Sequence, residues 1–327
     1  LKSWRPDLRL TVLAESPNDE VLRNNPDLED VVTIPTTRKS ALGMLAARLK
    51  VLRRVRAARF DCCINLHEGP TSAWMTAVSG ARYRAGVATF RNRLTCNVIV
   101  DKAPSPAGGR RLHSVEQHMA SLRGMGLPQA PIPPLRLVPD PSLRDGVLGK
   151  LRDAGLDLKQ DYVVIHPAAN FPSKEWPAAR FAAIADEIRF KHGPQVAILA
   201  GPGEQPLAIR VARQCQSSPI VVQGISVAEL VWAIQGARLF LGNDSGPTHI
   251  AAALNVPIVV LFGSSDSQIW FPWTTSSPYR IVQNKFACNP CRSDRCRVYG
   301  EPRCILSITP EQVEAAVAAQ LRLSTRS

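Results

Sequence analysis

What most limits the fold of this chain is a set of short apolar runs, over 162–165, 195–200, 238–241 and 258–262, separated by helical patterns and polar loops. Each run is too short for a buried helix, and its Val, Ile, Leu and Phe residues follow one another rather than alternate with polar ones. Strands of this kind belong to a parallel sheet covered by helices on both faces. The helical patterns fall where that architecture needs them, over 178–191, 206–215, 226–235 and 247–254. Ser226 and Glu229 make a capping box at the start of the third. A last helix is expected over 310–323 to close the chain.

The first half repeats the alternation less cleanly, with strands expected over 8–13, 31–34 and 62–66 and helices over 18–24 and 40–59. Pro128, Pro131, Pro133, Pro134, Pro139 and Pro141 then exclude helix and central strand and read as an interdomain linker. A chain of 327 residues exceeds what one core ordinarily organises. The expectation is α/β architecture with two doubly wound, Rossmann-like domains facing a cleft, over 1–140 and 141–327. No short-period repeat is visible. Leu1 is not Met, and residues 2–7 read as a helix end running into a turn, so a strand–helix unit is expected ahead of Leu1.

No run of about 18 apolar residues predicts a transmembrane segment, and no signal segment opens the sequence. Eight cysteines in such a chain read as reduced thiols or metal ligands rather than a disulfide scaffold, which points to the cytoplasm. Cys288, Cys291, Cys296 and Cys304 are spaced C-x2-C-x4-C-x7-C; four thiolates can hold zinc, but this is not the paired knuckle pattern. Reduced structural cysteines are the preferred reading, with no metal expected in the active site. Residues 1–157 carry 24 Lys and Arg against 15 Asp and Glu, and the remainder 16 against 12. The excess suits a phosphorylated substrate, an anionic membrane surface or nucleic acid, and equally a merely solvated surface.

In doubly wound sheets, ligands bind beyond the carboxyl ends of the strands. Three polar loops are expected there: HPAANFPSKEWP over 166–177, GPGE over 201–204, and NDSGPTH over 243–249. Ser245 can cap a helix begun by Pro247, whose free N–H groups and dipole favour phosphate, and Gly246 leaves the approach open. His249 follows Ser245 by four residues on the same helix face, and Asp244 can accept from sugar hydroxyls. Lys174 suits a diphosphate and Glu204 suits ribose hydroxyls. Each has a plain alternative: helix capping for Asp244, Ser245 and Glu204, a buried histidine, a solvated lysine. Trp176 and Pro177 read as an anchor for the next helix. Neither a GxGxxG fingerprint nor a Walker motif is present.

NDSGPTHIAAALNVPIVVLFG, preceded by HPAANFPSKEWP, resembles the signature of the ADP-heptose:lipopolysaccharide heptosyltransferases, glycosyltransferase family 9, over nearly the whole chain. The resemblance implies the GT-B fold, with the nucleotide-sugar in the C-terminal domain and the acceptor on the N-terminal one. It implies inverting transfer of heptose from ADP-heptose to the lipopolysaccharide inner core, with no cofactor. Lys174 would then contact the donor diphosphate, Glu204 the adenosine ribose, and Asp244 the heptose hydroxyls. Ser245 and Gly246 would bind phosphate, with His249 in the same site. Ala168 departs from the usual Gly. The family's general base, an Asp in the first strand–helix unit, has no counterpart in the sequence, so no catalytic residue is named.

The implied acceptor is an anionic glycolipid at the inner membrane face, which would place the enzyme in the cytoplasm or peripherally on that membrane. Arg38, Lys39, Arg48, Lys50, Arg53, Arg54, Arg56 and Arg59, with Arg82, Arg84, Arg91 and Arg93, are candidates to meet it, or simply a solvated surface. Alternatives are a GT-B transferase for another nucleotide-sugar and a non-catalytic nucleotide-sugar-binding protein. A nucleic-acid partner is not expected, because only charge speaks for it.

Overall fold

The structure, a computed structural model, describes residues 1–36, 40–67, 69–89, 91, 93–101, 109–291 and 293–323. The chain divides into two compact units, Leu1–Pro133 and Pro134–Ser327.

In the first unit, β1 (Thr11–Glu15) pairs in parallel with β2 (Asp30–Ile34). Between them lies a 3-10 turn, Asn18–Leu22, where the sequence predicts a short helix. Its Asp19 is buried and accepts from Thr33 Oγ1 at 2.6 Å and Arg23 Nη2 at 2.5 Å. Helix α1 (Ala41–Ala57) starts at Ser40, whose Oγ accepts from the Gly43 N–H at 3.1 Å. It buries Val51 and Val55 with Val32, Ile34 and Met75. A second parallel sheet joins β3 (Cys62–Ile64), β4 (Tyr83–Val87) and β5 (Val98–Val100), with α2 (Pro70–Val78) between β3 and β4 and α3 (Ser114–Gly124) after β5. The Pro-rich segment over 127–140 holds neither helix nor strand, and the boundary between the units falls inside it.

The second unit begins with α4 (Arg144–Asp153) and is built on one six-stranded sheet. Its strands are β6 (Tyr162–His166), β7 (Gln195–Ala200), β8 (Ile220–Gln223), β9 (Leu239–Asn243), β10 (Ile258–Leu261) and β11 (Tyr279–Val282). The spatial order is β11-β10-β9-β6-β7-β8, and every neighbouring pair is parallel. The connecting helices are α5 (Ala178–Glu187), α6 (Gln205–Gln214), α7 (Val227–Gln235), α8 (Gly246–Ala253) and the short α9 (Ser267–Trp270). Helix α5 runs on into a π-turn, Ile188–His192, that completes the predicted span. Ser226 and Glu229 close the predicted capping box of α7. After the short α10 (Arg303–Leu306), α11 (Pro310–Leu323) lays Val313, Val317 and Leu321 on the core formed with β6, β7, β9 and β10. Strands β6, β9 and β10 are buried at every residue, which is why they read as unbroken apolar runs.

Candidate functional site

The strand order creates the site. From β6 the chain steps outward through β7 to β8, then returns to the other side of β6 and steps outward again through β9, β10 and β11. Loops after β6 and β9 therefore leave adjacent strands toward opposite sides and part at the carboxyl edge, the switch point where doubly wound sheets hold ligands. The loops after β6, β7 and β9 all lie on this edge, and two side-chain contacts tie them together.

The first contact joins Lys174 to Asp244, 70 residues apart, with Nζ 2.7 Å from Oδ2. Their side chains are 22% and 5% exposed, so the carboxylate is nearly out of water and the ammonium reaches the crevice. Lys174 Nζ also lies 5.8 Å from the centre of the Phe171 ring. Asp244 is fixed through its backbone, since its N–H donates to the Leu261 carbonyl at 3.0 Å and extends the β9–β10 pairing. A buried carboxylate held against one cation in a low-dielectric crevice suits hydroxyl and phosphate recognition side by side.

Ser245 corrects one prediction. It occupies the N-cap position of α8, but its hydroxyl makes no cap bond. The helix begins at Gly246, so Pro247 falls at the second helical position and has no N–H to offer. The N–H of Thr248 is already taken by the carbonyl of Ser245 at 3.1 Å. Ser245 Oγ is left buried without a partner, beside an exposed Gly246 where a Cβ would meet nothing within 4 Å. An orphan hydroxyl at an open helix N-terminus is a place for an anion.

His249 is half-buried on α8, its ring 6.5 Å from that of Trp270. Burial pushes its pKa below the usual imidazole value; Asp244 opposes the shift and Lys174 adds to it. The unfolded chain therefore binds more protons than the folded one just below about pH 6.5, and stability falls as pH drops through that value. His249→Gln is expected to flatten that part of the profile. Thermal unfolding midpoints measured from neutral to mildly acid pH check it, and an unchanged slope would contradict it.

The second contact joins His166, at the end of β6, to Glu204, with Nε2 3.1 Å from Oε2. The same oxygen accepts from the Gly201 N–H at 2.7 Å. Burial pushes the Glu204 pKa up, but the His166 and Gly201 interactions outweigh it and hold the carboxyl below its usual range. Glu204 thus folds one oxygen back into the loop and leaves the other for a ligand. His166 is 2% exposed with Nδ1 unpartnered, and the sequence reading did not single it out as a site residue.

Two further residues escaped notice although both lie in the quoted motifs or beside them. Asn243 is fully buried; its Nδ2 donates to the Pro167 carbonyl at 2.7 Å and its Oδ1 accepts from the Trp176 N–H at 3.3 Å, so it pins both ends of the Lys174 loop. Gly263, after β10, lets that loop lie close: a Cβ there would stand 2.4 Å from the Ser173 carbonyl oxygen. Ser173 Oγ bonds Ser264 Oγ at 2.9 Å and donates to the Ser293 carbonyl at 2.6 Å. The cysteine-rich loop therefore braces the back of the Lys174 loop. Cys288, Cys291, Cys296 and Cys304 line one small cavity there with Ser173 and Ser264, and all four are free thiols. Among the described residues no group of three or more His, Cys, Asp or Glu is arranged to hold a metal ion. Burial also pushes the Cys304 thiol up.

Of the basic residues, Arg54 pairs with Asp30 at 2.6 Å and Arg84 is spent on the Thr95 and Ala81 carbonyls at 3.0 and 2.9 Å. Arg38 and Lys39 lie outside the described residues. No helix among the described residues is long and apolar enough to cross a membrane.

The family model of glycosyltransferase family 9 (heptosyltransferase) matches residues 48–300. Lipopolysaccharide heptosyltransferase 3 of Escherichia coli is 29% identical over 286 residues, covering 84% of this chain and 81% of that protein. Among solved structures, the glycosyl transferase family 9 protein from Veillonella parvula aligns with a TM-score of 0.79 at 21% identity, over 98% of this chain and 90% of that one. The E. coli ADP-heptose heptosyltransferase II aligns with a TM-score of 0.74 at 18% identity, over 98% and 92%. These likenesses place both units in the GT-B fold, as the sequence resemblance implies. With its model covering most of the sequence, the chain belongs to glycosyltransferase family 9, the heptosyltransferases, and is a glycosyltransferase.

Proposed function

We propose that the chain transfers heptose from ADP-heptose to the lipopolysaccharide inner core and inverts the anomeric centre. The observation that carries this reading is the meeting of Lys174 and Asp244 at the switch point, next to the unpartnered Ser245 hydroxyl and the open Gly246. Lys174 and the N-terminus of α8 would hold the diphosphate, Asp244 the heptose hydroxyls, and the outward oxygen of Glu204 the ribose. An acceptor hydroxyl attacks the anomeric carbon and gives up its proton to water, its new C–O bond forming as the bond to the diphosphate oxygen breaks. Negative charge grows on the departing ADP, where Lys174 and the helix N–H groups lie. His249, neutral at pH 7, shapes the wall of the crevice. The step needs no metal or cofactor. The acceptor, an anionic glycolipid, would be met by the basic first unit at the inner membrane face, with the enzyme on the cytoplasmic side.

A donor panel tests this. ADP-heptose is expected to bind at least about ten-fold more tightly than UDP- or GDP-sugars in calorimetry, a difference of about 1.4 kcal/mol. A UDP- or GDP-sugar binding as tightly would assign the site to another donor.

A further inference from the structure

Two aromatic side chains stand open beside the buried crevice pair. Phe171 is 42% exposed, with the Lys174 ammonium 5.8 Å from its ring centre. Trp270, the last residue of α9, is 44% exposed, and its ring lies 6.5 Å from that of His249. The backbone that carries Trp270 is held firmly. Asp266 caps α9, its Oδ1 accepting from the Gln268 N–H at 3.0 Å and its carbonyl from the Trp270 N–H at 3.1 Å. Ser267 Oγ donates to Gln283 Oε1 at 2.6 Å, and Ile269 is buried. A large indole is therefore fixed in place with nearly half its surface in water.

Its place along the sheet says what it meets there. Strands β10, β9, β6 and β7 are neighbours in that order, and the segments that follow them carry Trp270, Asp244, Lys174 and Glu204. Three strand spacings, about 14 Å, separate the outer two strands. A nucleotide-sugar lying along this edge with its ribose at Glu204 and its diphosphate at Lys174 carries its sugar toward Asp244. The next side chain outward is Trp270. His249, which lies against the indole, feels the charges of both Asp244 and Lys174, so Trp270 belongs to the wall of the same crevice. We propose, on the ADP-heptose reading of this crevice, that the exposed face of Trp270 is the stacking platform for the donor's sugar ring. A pyranose has hydroxyls around its rim and C–H groups across its faces, so a carboxylate alone holds only half of its chemistry. Asp244 takes hydroxyls at the rim, and the indole covers a C–H face, burying apolar area at little cost in side-chain entropy. Phe171, on the diphosphate side with its ring already against the Lys174 ammonium, does not compete for the sugar.

Calorimetry with ADP-heptose and with ADP tests it. Trp270→Ala is expected to weaken ADP-heptose about ten-fold and to leave ADP within about two-fold of the parent, the ADP arm serving as the control for folding. Trp270→Phe, which keeps a ring, should recover most of the loss. Unchanged ADP-heptose affinity in Trp270→Ala overturns the platform, and if Asp244→Ala still loses donor affinity the donor reading stands without it. An acceptor KM that rises while donor affinity holds also overturns it and moves the indole to the acceptor sugar. Equal losses of ADP and ADP-heptose overturn it as well, because the indole then acts on the nucleotide end or on the fold. A parent that binds a UDP- or GDP-sugar as tightly as ADP-heptose fails the donor reading itself, before any variant is made, and the platform falls with it.

Discussion

Asp244→Ala is expected to lower heptose transfer about a thousand-fold while leaving ADP affinity intact. Asp244 is almost fully buried, and its backbone is locked into the β9–β10 pairing, so no neighbour can take over its position. Hydrogen bonds from sugar hydroxyls to a carboxylate are worth about 1.5–3 kcal/mol each, and losing two removes roughly 3–6 kcal/mol from donor positioning. ADP carries no heptose and loses none of this. The variant should still fold, because Lys174 is 22% exposed and its ammonium can rehydrate when its partner goes. Lys174→Ala has the opposite signature. It should weaken ADP and ADP-heptose alike by about ten- to a hundred-fold, the worth of one charge-assisted bond to phosphate. Transfer rates and calorimetry on both variants separate the two roles. Transfer by Asp244→Ala at the parent rate would remove Asp244 from the donor site, and unchanged ADP affinity in Lys174→Ala would exclude a diphosphate contact.

The contrast between what was readable and what was not follows from range. Strands β6, β7, β9 and β10 are legible because burial on both faces demands continuous apolar residues, and a parallel sheet then obliges their following loops to share one edge. That logic alone gathers Lys174, Glu204 and Asp244. The Lys174–Asp244 and His166–Glu204 pairs span 70 and 38 residues, and no local pattern encodes such contacts. Asn243 reads as one more polar residue before a turn until Pro167 and Trp176 are seen against it. The capping reading of Ser245 fails for a reason one position fine: starting the helix at Gly246 instead of Pro247 puts proline where the donor should be. Strand β11 was missed because it lies at the sheet edge, where Tyr279 and Arg280 are exposed and the apolar run is broken.

Trp176→Ala is expected to cost the second unit about 3–5 kcal/mol, the range for emptying a fully buried large aromatic. Trp176 is 0% exposed, its ring 5.0 Å edge-on from Phe181, and its Nε1 donates to the Ile308 carbonyl at 3.0 Å. That carbonyl also accepts from Arg180 Nη1 at 2.6 Å, so it is not orphaned and adds little to the loss. At about 2–4 °C per kcal/mol for a unit of this size, the unfolding midpoint should fall by roughly 6–20 °C. Trp176→Phe, which keeps an aromatic in the cavity, should lose clearly less. The site itself is held by main-chain links that the substitution retains: the backbone N–H of residue 176 still reaches Asn243, and Asn243 still reaches Pro167. ADP affinity of the folded protein, measured well below the lowered midpoint, should therefore fall less than about ten-fold. An unchanged midpoint would refute the packing role. Loss of ADP binding as large as that of Lys174→Ala would show instead that the indole, and not Asn243, sets the position of the Lys174 loop.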